Sequence, residues 1–146
     1  MMTFWLLFLH IIGASIWVGG HLILSIRYLP NAVLKKEIGL LTQFEEKFEV
    51  VGIPALLIQV VTGIIMAINM MPISNWLNFS NPISRLILLK LSMLLATFLL
   101  ALDARLRVIP KLSSETINSL AWHVAAVTLI SLVFVATGLN FRFGGF

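Results

Sequence analysis

Apolar residues dominate four long stretches of the chain, about Thr3–Ile26, Val50–Met71, Ser84–Ala104 and Ile117–Leu139. Crossing the hydrocarbon core of a bilayer takes about 20 residues of helix, and each stretch is long enough. Backbone in lipid must satisfy its own hydrogen bonds, which consecutive apolar runs do as packed helices. The pattern predicts an all-α integral membrane four-helix bundle, a single transmembrane domain over 1–146. Gly13, Gly19, Gly20, Gly52, Gly63 and Gly138 fall inside the spans, where small residues let helices approach closely. No basic segment precedes the first run, and Phe4–Ile26 is too long for the apolar core of a signal peptide. It is read as a retained span.

The connections have distinct characters. Pro30–Glu49 interleaves charges with Leu34, Ile38, Leu41, Phe44 and Phe48 at three- and four-residue steps. That spacing predicts an amphipathic interfacial helix between spans one and two. Pro72–Pro82 combines Ser and Asn residues with Trp76 and Phe79 and reads as an aromatic-anchored surface loop. Arg105–Thr116 is a short basic connection whose Ser113–Ser114 pair is suited to cap the last helix. No internal repeat, low-complexity stretch or linker is evident.

Composition agrees with lipid as solvent. The chain is 60% hydrophobic and 11% charged with a mean hydropathy of +1.03, whereas a soluble domain carries about 25% charge. The net charge of +4 comes from residues flanking apolar runs, which excludes a nucleic-acid stripe. Arg27, Lys35, Lys36, Lys47, Arg105, Arg107 and Lys111 gather on one face, against Arg85 and Arg142 on the other. The bias places the basic loops in the cytoplasm and both termini in the periplasm, in a bacterial inner membrane. Cysteine is absent, so disulfides and thiolate metal sites are excluded.

Ionisable groups within a bilayer are costly and ask for a reason. With about 1.5 Å of rise per residue, depths can be compared between spans. His10 and Lys90 lie early in the parallel first and third spans, and the antiparallel second span brings Met66 and Met70 to the same outer level. His21 returns to the face of His10 about 16 Å further in. His123, early in the fourth span, shares that inner level, with Trp17 and Trp122 close by and Gly19 and Gly20 leaving space. Glu45, Glu46, Glu49, Arg27, Asp103 and Arg105 form a charge network at the cytoplasmic end.

Neutral imidazole ligates copper, zinc and haem iron, and thioether favours Cu(I). His10, His21 and His123 with Met66 and Met70 therefore suit copper as candidate ligands, with Lys90 tuning charge. The His21–His123 pair also fits bis-histidine ligation of haem b, with His10 as a further candidate, and the glycines beside His21 would admit a porphyrin. The plainer readings are interhelical hydrogen bonds for the histidines, packing for the methionines and a snorkelling Lys90.

The stretch Leu9-His10-Ile11-Ile12-Gly13-Ala14-Ser15-Ile16-Trp17-Val18-Gly19-Gly20-His21 resembles the start of the copper-resistance D (CopD) membrane family. Phe44-Glu45-Glu46, Gly52-Ile53-Pro54-Ala55-Leu56, Thr62-Gly63, Lys90-Leu91, Ile109-Pro110-Lys111-Leu112 and Phe141-Arg142-Phe143-Gly144-Gly145 extend that resemblance over nearly the whole chain. It implies a four-span inner-membrane protein connected with copper handling. A looser similarity to HemJ-type protoporphyrinogen oxidases rests on His10 and on Lys90-Leu91 and does not include His21 or His123.

The leading expectation is thus a copper-binding protein of copper transport or homeostasis. A haem b redox protein acting on a quinone or porphyrin is the alternative, and a structural subunit of a larger membrane complex is the third reading. The expected partners are the lipid bilayer, a further copy of the chain or a periplasmic copper-carrying protein, and no nucleic acid.

Overall fold

A computed structural model describes residues 2–113 and 115–143. Ser114, half of the expected cap, and Gly144-Gly145 lie outside the described residues. Five α-helices are found among the described residues: α1 (Met2–Ile23), α2 (Leu29–Lys35), α3 (Ile38–Met70), α4 (Pro82–Asp103) and α5 (Ile117–Phe143). Four continuous helical runs, Met2–Lys35, Ile38–Met70, Pro82–Lys111 and Ile117–Phe141, are long and apolar enough to cross a membrane. The all-α four-span expectation is met.

The amphipathic segment departs from expectation. It is not a separate interfacial helix. Its first half continues α1 through a π-helical turn (Leu24–Tyr28) into α2, and its second half is the opening of α3. Only Lys36 and Glu37 interrupt the helix, with Lys36 in the left-handed conformation (φ 57°) that ends helices. The apolar stripe still does its packing: Leu41 is buried, and Phe44 stacks against Tyr28 with ring centroids 4.6 Å apart. Leu34 is the exception, 81% exposed. The third span likewise runs past Ala104, through a π-helical turn (Ala104–Val108) and a 3₁₀ turn (Ile109–Lys111), into what the sequence reads as a loop.

The best-packed apolar cluster lies at this basic end: Leu24, Ala32, Leu41, Val108, Ile117, Leu120 and Val124. Apolar burial lowers free energy where water is the alternative, and lipid tails are as apolar as leucine. The core accordingly sits where the helices leave the bilayer. At the opposite end, which holds both termini, Asn81 accepts from the Ile83 amide (2.8 Å) to start α4. The buried Ser84 hydroxyl donates to Asn75 (2.8 Å), and Trp76 Nε1 donates to Met71 (3.1 Å), pinning the aromatic loop.

Within the spans, α1 packs along α3, α4 along α5, and α1 also against α5; α3 and α4 barely touch. The helices therefore stand in the ring order α3, α1, α5, α4, with one open seam. Gly13 sets the first of these contacts, because a Cβ there would lie 2.7 Å from the Ala55 carbonyl oxygen. Contact that close requires glycine.

An internal repeat, not expected from the sequence, emerges from this packing. The α1–α3 hairpin and the α4–α5 hairpin carry the same features in the same order. Each ascending span carries a five-residue π-helical turn followed one residue later by proline, Pro30 and Pro110. Proline removes its own amide and crowds the carbonyl four residues back, and the wider turn relieves both. His10 and Lys90 occupy equivalent sites in those spans, and Thr62-Gly63 and Thr137-Gly138 in the returning ones. A Cβ on Gly63 would lie 3.1 Å from the His10 ring, and one on Gly138 would lie 3.6 Å from Lys90 Nζ. Equivalent sites differ in chemistry, His10 against Lys90, which hides the repeat from a residue-by-residue reading.

Candidate functional site

The polar residues within the bundle fall at two levels. At the level nearer the termini, His10 reaches from α1 to α3. Its Nδ1 donates to the Gln59 carbonyl (2.9 Å) and approaches Thr62 Oγ1 (3.0 Å). The Thr62 hydroxyl itself donates to Ile58 (2.6 Å), so its oxygen is free to accept. Thr62 belongs to the Thr62-Gly63 pair of the family resemblance, whereas Gln59 is not among the candidate residues. Threonine and glutamine inside an apolar span were the available signal. The Gln59 Oε1 is buried and has no partner among the described residues, which is costly in a low-dielectric interior.

Lys90 lies within electrostatic range of His10, and its Nζ sits 5.3 Å from the centre of the Phe141 ring, a cation–π distance. Met66 follows Gln59 by two turns of α3 and so shares the face that receives His10. Met70, by contrast, is 48% exposed. Met71, not considered beforehand, is buried with its sulfur 3.0 Å from the Ser84 hydroxyl.

At the level nearer the basic end, His21 and His123 line one cavity of about 310 Å³, together with Trp17, Glu45, Phe48, Glu49 and Arg105. The depth alignment brings the two imidazoles to this shared space, as expected. Their hydrogen bonding is less alike. His21 Nδ1 donates to the Trp17 carbonyl (2.9 Å), while the ring lies 4.4 Å from Trp17 and 5.5 Å, edge-on, from Phe48. Its Nε2 has no partner among the described residues. His123 Nδ1 lies 2.8 Å from the Ser119 carbonyl and its Nε2 is 2.8 Å from Asp103 Oδ2. Asp103 is held in turn by Arg107 (2.6 Å). Both ring nitrogens of His123 thus face oxygen acceptors, and it joins a metal only by exchanging Asp103 for it.

The expected open space beside His21 is only half present. Gly19 faces open space, but the ring of Phe48 occupies the position that a Cβ on Gly20 would take, and Gly52 clasps the same ring from α3. Part of the expected charge network closes the basic end: Arg105 Nη1 donates to Glu49 Oε2 (2.5 Å) across the α3–α4 seam, while Arg27, Glu45 and Glu46 make no ion pair among the described residues. All six acidic side chains, Glu37, Glu45, Glu46, Glu49, Asp103 and Glu115, belong to the basic half. The level of His10 and Lys90 has none. Among the described residues, no group of three or more His, Cys, Asp or Glu is arranged to hold a metal ion.

Four apolar helices carrying histidines, a lysine and glycine-mediated contacts define a multi-pass membrane protein. The family model for copper resistance protein D matches residues 42–139, about two thirds of the chain. The protein belongs to that family and is accordingly a membrane protein of copper resistance and homeostasis. The match takes in Met66, Met70, Lys90, Asp103 and His123 and begins after His10 and His21. No curated protein and no solved structure matches the chain.

Proposed function

We propose that the protein binds copper ions within its bundle and takes part in their transport or delivery across a bacterial inner membrane, with both termini periplasmic. One observation carries this reading. All three histidines anchor Nδ1 on a backbone carbonyl, at 2.9, 2.9 and 2.8 Å. A carbonyl can only accept, so each Nδ1 carries its proton; at His10 and His21 Nε2 then keeps the lone pair that a metal needs, whereas at His123 it faces Asp103 and offers one only when that contact opens. Metal-ligating histidines characteristically donate their other nitrogen in this way.

Electrostatics ranks the two levels. The cavity of His21 and His123 has Glu45 and Glu49 in its walls and Asp103 at its edge, and these offset the charge of a bound cation. His10 has Lys90 in range and no acidic side chain at its level. The inner cavity is therefore the principal copper site, with His21 as the ready ligand and His123 recruited when Asp103 gives way. His10 and Met66 form the way station toward the periplasm. Copper is the cargo here and needs no permanent seat.

The haem b reading fits less well. A porphyrin bound between His21 and His123 requires the volume that Phe48 fills beside Gly20, and it would leave Asp103 without its imidazole. X-ray absorption at the copper edge tests the proposal. Imidazole scattering that weakens in His21→Ala is expected; a spectrum of oxygen and sulfur neighbours only would exclude these ligands.

A further inference from the structure

The level nearer the termini contains one arrangement built twice. His10 and Lys90 each precede a π-helical turn by fourteen residues and the proline beyond it by twenty. Each lies against a Thr-Gly pair on the returning helix, whose buried threonine hydroxyl donates within its own helix: Thr62 to Ile58 (2.6 Å) and Thr137 to Val133 (2.7 Å). The glycines leave the recesses, since a Cβ on Gly63 would crowd the His10 ring and one on Gly138 would touch Lys90 Nζ. Four residues after the threonine, each returning helix carries a large soft side chain, Met66 in the first half and Phe141 in the second. In the second half that position meets a cation, with Lys90 Nζ 5.3 Å from the centre of the Phe141 ring.

The halves differ in what supplies the charge. In the second, the chain brings its own cation and places it on an aromatic face. In the first, the groups on offer carry lone pairs. His10 donates through Nδ1 to the Gln59 carbonyl, which leaves Nε2 as an acceptor. Met66 offers a thioether, a soft ligand. Gln59 faces α1, where a Cβ on Gly13 would lie 3.2 Å from its own Cβ, so its side chain shares the helix interface of His10. Its buried Oε1 has no partner among the described residues, a costly deficit. Phe134 precedes Thr137 by three residues, as Gln59 precedes Thr62, so the second half has no oxygen at the equivalent position. The unmet acceptor thus stands in the half that lacks a cation. A soft monovalent cation answers it, and imidazole with thioether selects Cu(I).

We infer that this level holds two equivalent cation seats: one formed by His10 Nε2, Met66 Sδ and Gln59 Oε1, which takes Cu(I), and one filled permanently by the Lys90 ammonium at Phe141. The inference rests on the copper reading of His10 and adds to it an oxidation state, Gln59 as the dipole that offsets the ion's charge, and a task for Lys90. The tethered ammonium keeps a second copper out of this level. Lying within electrostatic range of His10, it also opposes retention of the first, which favours passage to the cavity walled by Glu45 and Glu49.

The test converts one seat into the other in the full-length protein. In a His10→Ala background, which silences the first seat, Lys90→His with Phe141→Met should add one Cu(I) per chain on anaerobic loading, with imidazole and sulfur neighbours at the copper X-ray absorption edge. Lys90→His without the thioether should hold that ion about tenfold more weakly. The reverse exchange, His10→Lys with Met66→Phe, is read without copper. Its ammonium should satisfy the first seat, so the copper-free protein should unfold at or above the wild-type midpoint, and this arm decides should the forward variant fail to fold. No added copper in a folded forward variant, added copper with oxygen neighbours only, or a lowered midpoint in the reverse one would overturn the inference. Wild type that loads copper through His21 while the exchanges fail in these ways overturns this inference alone. Copper-free wild type removes the copper reading and this inference together.

Discussion

Replacing Gly20 by alanine puts a methyl group inside the volume of the Phe48 ring, whose edge fills the groove between Gly20 and Gly52. The ring meets His21 edge-on at 5.5 Å, so relief must come from a rotamer change toward Gly52 or the cavity it lines. Overpacking of this kind costs about 1–3 kcal/mol. Against that, alanine is a better helix former than glycine by about 1 kcal/mol. The net effect of Gly20→Ala is a loss of about 0–2 kcal/mol. In a Phe48→Ala background the clash is gone and only the helix-forming gain remains, so the same substitution should stabilise by up to about 1 kcal/mol. The coupling energy is then about 1–3 kcal/mol, within the range for residues in contact. Reversible unfolding in mixed micelles, followed by circular dichroism across the four-variant cycle, measures it. A Gly20→Ala effect of the same sign and size in both backgrounds would refute the packing argument, and with it the case against a porphyrin at this position.

Four further outcomes follow. Gly63→Ala should displace the His10 ring and lower stability, whereas Gly138→Ala, where a Cβ meets Lys90 Nζ at an ordinary 3.6 Å, should be tolerated; unfolding midpoints compare them directly. Gln59→Leu removes a buried oxygen that has no partner among the described residues, so stability should hold or rise by about 1 kcal/mol, and a loss of similar size would reveal a hidden partner. Arg105→Ala breaks an ion pair whose arginine is 62% exposed; a shift under about 1 kcal/mol is expected, shrinking further in high salt, and a larger shift would mean that the seam depends on this tie. Reduced protein should show no Soret band, and a band lost in His123→Ala would restore the haem reading.

Hydropathy made the four spans legible, since lipid leaves the backbone no other solution. Depth alignment then brought His21 and His123 to one cavity, because helix rise is nearly constant over a span. What pattern reading missed lies where charge and helix coexist. Charge reads as a boundary at Arg27 and Arg105, yet the helices continue through both as π-helical turns accommodating Pro30 and Pro110. Side-chain direction was also out of reach: Phe48 reads as one apolar position in an amphipathic stripe, and nothing in its spacing says that its ring fills the groove at Gly20. Asp103 stands at the expected level, in the charge network, but its sharing between Arg107 and His123 depends on rotamers that spacing does not give. Gln59 escapes pattern reading because a polar residue in a span is commonly satisfied within its own helix.

The copper-to-protein ratio of purified wild type and His21→Ala, loaded with Cu(I) and freed of excess, tests the central claim most directly. Near-stoichiometric copper in the wild type and a severalfold lower ratio in a folded His21→Ala protein is the expected result. Equal ratios in the two proteins, or copper-free wild type, would contradict it.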